Sequence, residues 1–200
     1  MPDFEFPASV EALKEPNGLL AMGGDLSPER LLLAYSRGIF PWFSSDEPIL
    51  WWAPDPRAIL EPSEFIVSKS FGKSLKKRGY RLSLNKEFSS VVRACAAPRP
   101  SQEGTWILPS MISAYSALHR LGYAHSIEVW CEDNLIGGLY GVCLGKAFFG
   151  ESMFSVKTDA SKTALACLAY IGQMGYFKLI DCQVESQHLT SMGARSLDRA

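Results

Sequence analysis

Ala124–Phe154 reads AHSIEVWCEDNLIGGLYGVCLGKAFFGESMF. Three apolar, strand-like runs lie in it, Ala124–Cys131, Leu135–Leu144 and Ala147–Glu151. Glu132-Asp133-Asn134 and Gly145-Lys146 part them as turns, so the stretch predicts an antiparallel meander. It closes on Gly150-Glu151-Ser152-Met153-Phe154, polar chemistry set in apolar sequence. Further on, Asp181-Cys182-Gln183 ends a second apolar run, Phe177-Lys178-Leu179-Ile180, in the same way. A carboxylate at the end of such a run is costly to bury unless it is paired or used. Glu151 and Asp181 are therefore the first candidates for a site.

The flanks of the meander supply helices. Pro109–Leu121 carries Met111, Ile112, Tyr115, Leu118 and Leu121 at helical spacing, with Gly122 as its stop. After the meander, Thr158-Asp159 caps a helix over Ala160–Met174, and a strand Leu179–Gln183 follows. A short helix is expected near Gln187–Met192. Upstream, Ser70–Arg78 reads as a helix, Arg81–Leu84 as a strand, and Lys86–Ala96 as a helix with Asn85 as its cap. The fold class is α+β, with a central, mostly antiparallel sheet. Acetyltransferase-like folds share that order of elements.

Residues 1–57 differ in character and are read as a small Pro- and aromatic-rich N-terminal domain, leaving 58–200 as the larger domain. Ser27-Pro28-Glu29 starts a helix, with Ser as N-cap and Pro at the first helical position, and Gly38 ends it. Phe40, Trp42, Phe43, Trp51 and Trp52 then stand among prolines. They pack a small core or wall a ligand site; packing is the commoner use of aromatics.

Between Lys69 and Arg99 the only acid is Glu87. Lys69, Lys73, Lys76, Lys77, Arg78 and Arg81 make this segment almost single-signed, the footprint expected for a phosphate backbone. A solvated helix face explains it equally well. The whole chain has 200 residues and a formal charge of −1, which excludes a uniformly basic nucleic-acid binder. An apolar fraction of 47% supports a real core. The five cysteines form no CxxC pair and most sit in apolar surroundings, which reads as reduced thiols in a cytoplasmic protein, not as disulfides or zinc ligands. His119, His125 and His188 are scattered, so no metal site is expected. The start lacks a signal peptide and no apolar run spans a membrane.

Several blocks, in order, carry a resemblance. They are Pro16–Ser27 (PNGLLAMGGDLS), Gly38–Phe43 (GIFPWF), Trp51–Arg57 (WWAPDPR), Gly104–Ile107 (GTWI), Ala124–Trp130, Gly150–Ser155 (GESMFS), Ala160-Ser161-Lys162 and Leu179–Gln183 (LIDCQ). Together they resemble the bacterial leucyl/phenylalanyl-tRNA–protein transferases over nearly the whole chain. Where this chain stops, at Ser196–Ala200, the resemblance leads one to expect a further basic segment and a closing helix.

The resemblance implies an N-end rule aminoacyltransferase with an acetyltransferase-like larger domain. It would move Leu, Phe and less often Met from aminoacyl-tRNA to the α-amine of proteins starting with Arg or Lys. No cofactor is implied, and a monomer is expected. By resemblance Asp181 and Gln183 are the catalytic pair, Asp181 polarising Gln183, whose amide oxygen orients the attacking amine. Two apart on a strand, they face one side, and Cys182 faces away. Trp106 would stack on the terminal adenosine, or serve as core. Lys69, Lys73, Lys76, Lys77, Arg78 and Arg81 would grip the acceptor stem. Glu151 would hold the acceptor's cationic side chain or the aminoacyl ammonium, or else pair with Lys162. The donor side chain needs an apolar pocket, for which Leu139, Phe148, Met153, Leu165, Leu168 and Ile180 are placed, each also a candidate for core packing. An N-acyltransferase on the same fold and a non-catalytic tRNA-binding module are the alternatives. The first lacks its Gly-rich pyrophosphate loop before Ala160, and the second leaves Glu151 and Asp181 unexplained.

Overall fold

The computed structural model describes residues 5–98, 105 and 107–199. Near the N-terminus, β1 (Leu19–Met22), α1 (Pro28–Ser36), β2 (Phe40–Pro41) and β3 (Leu50–Trp52) follow one another. The strands pair antiparallel as a three-stranded sheet in the order β1-β3-β2. Ser27 caps α1, its Oγ accepting the Arg30 N–H, and Pro28 occupies the first turn, where it costs no hydrogen bond.

The main sheet has seven strands. In chain order the elements are β4 (Arg57–Leu60), α2 (Lys69–Arg78), β5 (Arg81–Leu84), α3 (Phe88–Ala96), α4 (Pro109–Arg120), β6 (Ala124–Cys131), β7 (Asn134–Leu144), β8 (Ala147–Ser155), α5 (Ala160–Gln173), β9 (Leu179–Gln183), α6 (Gln187–Thr190) and β10 (Arg195–Leu197). The spatial order is β10-β4-β9-β8-β7-β6-β5. Among the described residues only β8 and β9 pair parallel; every other pair is antiparallel. This is the α+β class expected, and the meander is β6-β7-β8.

Alternation divides the sheet into two faces, each with its own core. One face carries Tyr140, Val142, Phe149 and Phe154 against α1, α3, α4 and the N-terminal aromatics, with Trp51 1% exposed and Tyr35 1% exposed. The opposite face carries Ile127, Leu139, Phe148 and Ile180 against Leu165 and Leu168 of α5. The aromatic cluster of residues 35–52 is thus continuous with the packing of the main sheet.

Two local features depart from the expectation. Asn85 is not the cap of α3. It lies at φ 57°, and its side chain binds the Ser126 N–H and His125 Nδ1. The N-cap position is Glu87, and the fully buried Glu128 of β6 accepts the N–H groups of Lys86 and Glu87, at 3.3 and 3.4 Å, and the hydroxyls of Ser83 and Ser126. A buried carboxylate with four donors thus holds the chain just ahead of α3, which begins at Phe88. The second departure is length: β8 runs on to Ser155, past Glu151.

Candidate active site

Parallel pairing between β8 and β9 ends at Phe149–Asp181, although β8 continues for several residues. The carboxyl ends of the two strands therefore part, and Glu151, Met153 and Gln183 lie beside that opening.

Glu151 reaches its place through a bulge. Tyr140 stands opposite Ser152 and Gly141 opposite Gly150, so Glu151 is the extra residue on β8. The bulge turns its carboxylate onto the face that carries the tyrosines. Tyr35 of α1 donates to Oε1 at 2.7 Å, and Tyr115 of α4 donates to Oε2 at 2.7 Å. The two phenol oxygens are themselves 2.5 Å apart. Burial pushes the Glu151 carboxyl up to about 7, the tyrosine hydrogen bonds and Arg57 opposing and Asp181 adding to the rise. Burial above all holds Tyr35 and Tyr115 protonated, their pKa values well above the ordinary one. Among the described residues no ion pair forms at Glu151, and Lys162 is not its partner.

The open side of Glu151 faces a cavity of about 320 Å³. Phe40, Pro41, Trp42, Trp52 and Pro54 wall it, and Asn17, Glu151 and Gln183 are its polar groups. Trp42 and Trp52 meet edge to face at 5.5 Å, and Trp42 is 49% exposed at the mouth. The N-terminal aromatics thus both pack a core and wall a cavity.

Asp181 stands behind that cavity. Arg57 of β4 grips it with two prongs, Nε to Oδ1 at 2.8 Å and Nη2 to Oδ2 at 3.0 Å. Oδ1 also accepts the Gln183 main-chain N–H at 2.9 Å. The Arg57 guanidinium in turn lies 4.9 Å from the Phe40 ring centroid. Gln183 is at φ 59°, and the Val184 N–H donates to the Cys182 carbonyl at 2.8 Å, a tight turn centred on Gln183. Strand alternation fails at that residue, and Asp181 meets the backbone of Gln183 through this bond. Gln183 lines the Glu151 cavity instead. Positive φ on a non-glycine residue, held by a buried ion pair, is strain of the kind found where a side chain must be aimed. Cys182 lies in the opposite core, and burial pushes its thiol up to about 12.

The apolar residues chosen for the donor pocket come together. Leu139, Phe148, Leu165, Leu168 and Ile180 are all buried in the core beneath α5. Met153 lies at the edge of that cluster and lines a second cavity of about 480 Å³, with Phe154, Ser161, His188 and Pro98. Glu151 and Met153, two residues apart on β8, therefore address two different cavities.

The basic residues are elsewhere. Lys69, Lys73, Lys76, Lys77 and Arg78 are exposed along α2, and Arg81 stands on the outer strand β5, 5.3 Å from the Trp130 ring centroid. Lys77 and Arg78 also line a hollow of about 320 Å³ with Tyr80 and Lys157. Trp106 lies outside the described residues. Tyr35, Tyr115 and Arg57 were not among the residues chosen from the sequence. Tyr115 reads there as an apolar helix position, and Tyr35 falls within the helix that Ser27-Pro28-Glu29 starts; the available signal is that a buried tyrosine hydroxyl needs a partner. His119 is structural, stacked on Phe88 at 4.1 Å. Among the described residues no His, Cys, Asp and Glu cluster could hold a metal ion, and no helix is long and apolar enough to cross a membrane.

A family profile described as leucyl/phenylalanyl-tRNA protein transferase matches residues 59–200, and its N-terminal-domain profile matches residues 24–55. The leucyl/phenylalanyl-tRNA–protein transferase of Nitrosomonas europaea is 58% identical over 198 residues, covering 99% of this chain and 84% of its own. That of Cellvibrio japonicus is 57% identical, covering 98% and 83%. Among solved structures, a GCN5-related N-acetyltransferase from Kribbella flavida aligns with a TM-score of 0.41 at 10% identity, covering 84% of this chain and 60% of its own.

Proposed function

The chain belongs to the leucyl/phenylalanyl-tRNA–protein transferase family, and from that premise we propose how its residues divide the work of the reaction. It is an aminoacyltransferase that takes its donor from aminoacyl-tRNA, which sets aside a plain N-acyltransferase and a binding-only module. In this reading the acceptor is a protein beginning with Arg or Lys, and the product a new peptide bond that marks it for degradation. The enzyme works in the cytoplasm as a monomer, with 1–57 as a small domain and 58–200 as the catalytic one.

One observation carries the assignment of the acceptor site. Glu151 is a carboxylate held by two hydroxyl donors, without a cation among the described residues, at the floor of an aromatic cavity. A guanidinium or ammonium entering there would find a charge partner below and ring faces around it. The donor Leu, Phe or Met would enter from the Met153 cavity towards Leu139, Phe148, Leu165, Leu168 and Ile180. Such a pocket discriminates weakly, about 1–3 kcal/mol per methylene, so one pocket can take all three side chains.

Aminolysis needs a neutral amine, an aligned ester and a stabilised oxyanion. The α-amine, with a pKa near ~8, is already partly neutral at pH 7, so an orienting acceptor suffices. Gln183 fills that role, lining the cavity with its backbone fixed by Asp181. Asp181 is engaged by Arg57 and by the Gln183 N–H, which supports a role in positioning Gln183 over one as a free base. Trp106 stacks on the terminal adenosine, and α2 with Arg81 grips the acceptor stem through phosphates.

The test is mass spectrometry of an Arg-starting peptide incubated with the protein and Leu-charged tRNA. The expected product is heavier by one leucine residue and is absent when the peptide's N-terminus is blocked. Leucine addition to a Glu-starting peptide at the same rate would overturn the acceptor assignment.

A further inference from the structure

Glu151, Tyr35 and Tyr115 approach one another through three oxygen pairs: 2.7 Å and 2.7 Å from the phenols to the carboxylate, and 2.5 Å between the phenols. Each approach needs one proton to be a hydrogen bond. Two phenols supply two. If Glu151 is ionised and both phenols point at it, their own oxygens face each other with nothing between. A third proton on the carboxyl closes the ring, because Glu151 then donates to one phenol, that phenol to the other, and the other back to the second carboxyl oxygen.

We propose that Tyr35 and Tyr115 make Glu151 a proton-exchanging cation receptor, in which the ring holds a third proton while the cavity is empty and gives it up when the acceptor's guanidinium or ammonium enters. The proton passes to solvent through the open mouth of the cavity. N–H groups of the cation take its place: Tyr35 turns to donate to Tyr115, Tyr115 donates to Glu151, and the cation donates both to the vacated carboxyl oxygen and to the Tyr35 oxygen beside it. Every donor and acceptor is then used with the carboxylate charged. A neutral side chain brings no compensating charge and leaves the proton in place, so the ring also sets specificity.

The surroundings support this. The Glu151 carboxyl titrates at about 7, raised chiefly by burial. Other charged or titratable groups near it are Tyr140 on β7, Asp181 on β9 and Arg57 on β4. Asp181 and Arg57 are paired with each other, which leaves little net field at Glu151. Tyr140 is fully buried, and burial keeps its phenol protonated too.

The inference rests on the reading of Glu151 as the acceptor's docking point, and the experiment separates the two. Binding of an Arg-starting peptide to the full chain is measured by calorimetry from pH 5.5 to 7.5, where the peptide's guanidinium stays charged, with the separately titrated ionisation of its α-amine subtracted. Buffers of differing ionisation heat report proton release. Affinity should rise roughly tenfold per pH unit below about 7 and level off above it, with close to one proton released at the acid end. Tyr35→Phe and Tyr115→Phe each remove one donor to the ionised carboxyl, so each should move the midpoint to higher pH. Unchanged affinity in Glu151→Gln would overturn the docking assignment itself. Weakened affinity in Glu151→Gln, with flat pH dependence and no proton release in the parent protein, would overturn the ring while leaving the docking point standing. Proton release with an unmoved midpoint in both phenylalanine variants would remove the tyrosines from the account.

Discussion

On one face of β8 stand Phe149, Glu151 and Phe154; on the other stand Phe148 and Met153. The first face meets tyrosines and tryptophans contributed by α1, α4 and the N-terminal sheet. The second meets leucines and small residues of α5. Both are well buried, yet only the first brings ionisable groups together, because aromatic residues with hydroxyls can serve a carboxylate and still pack. Leu165 and Leu168 can offer nothing of the kind. The ionisable groups and the leucine core are thus kept on opposite sides of one strand, while Phe154 of the first face and Met153 of the second share the cavity of about 480 Å³.

The largest effect should come from Asp181→Ala. The Asp181 side chain is 8% exposed and that of Arg57 15%, so removing the carboxylate leaves a mostly buried guanidinium unpaired. Breaking such a pair costs about 3–5 kcal/mol, to be read from urea unfolding. Transfer should fall at least ~10²-fold as Gln183 loses its anchor, with tRNA affinity unchanged. Equal loss of transfer and tRNA affinity would show that Asp181 does not serve the reaction specifically. Leu165→Ala probes the other face. Loss of a leucine 3% exposed in the α5 core should cost about 2–5 kcal/mol, while the acceptor KM stays as it was. A changed acceptor KM would break the division between the faces.

Glu151→Gln should act in the opposite direction on stability. The folded carboxyl titrates at about 7, above its ordinary value of 4.5. A raised carboxyl contributes stability that is fully present below about pH 4.5 and is lost as pH rises through 7. At pH 8 the ionised group opposes folding by up to ~3 kcal/mol, which the neutral amide removes. The thermal midpoint of the variant should exceed the parent's at pH 8 and match it near pH 4. A variant less stable at both values would mean that the carboxylate charge is well compensated, and the contrast between Glu151 and the paired Asp181 would disappear.

The meander, its turns, and the helices before and after it were legible because period-two and helical spacing survive in the sequence; Ala124–Cys131 and Leu179–Gln183 match residue for residue. The two carboxylates were legible because each interrupts an apolar run. Their partners were not. Glu151 is turned by a bulge, and a bulge changes register without marking composition. Tyr35 and Tyr115 lie far from it in sequence, on helices whose apolar spacing they satisfy equally well. Gln183 escapes strand alternation because one positive φ re-aims it, which no propensity of glutamine predicts. Asn85 has the residue type of a cap, but its side chain is taken by His125 and Ser126 of another strand.

The smallest effect on the fold, and the one that tests the comparison from outside, belongs to α2. Lys76 and Lys77 are exposed, and α2 leads into β5, the strand at the far edge of the sheet from β9. Neither cavity beside β8 includes them. Lys76→Glu with Lys77→Glu should therefore change unfolding by no more than ~0.5 kcal/mol and leave acceptor affinity untouched. If these lysines meet phosphates, the slope of log affinity for tRNA against log salt should become shallower by about one for each phosphate no longer neutralised. An unchanged slope would return α2 to a solvated helix face and move the tRNA grip elsewhere. A fall in acceptor affinity would mean that the charge at this edge reaches the cavity, which three strand spacings of about 5 Å and salt screening should prevent.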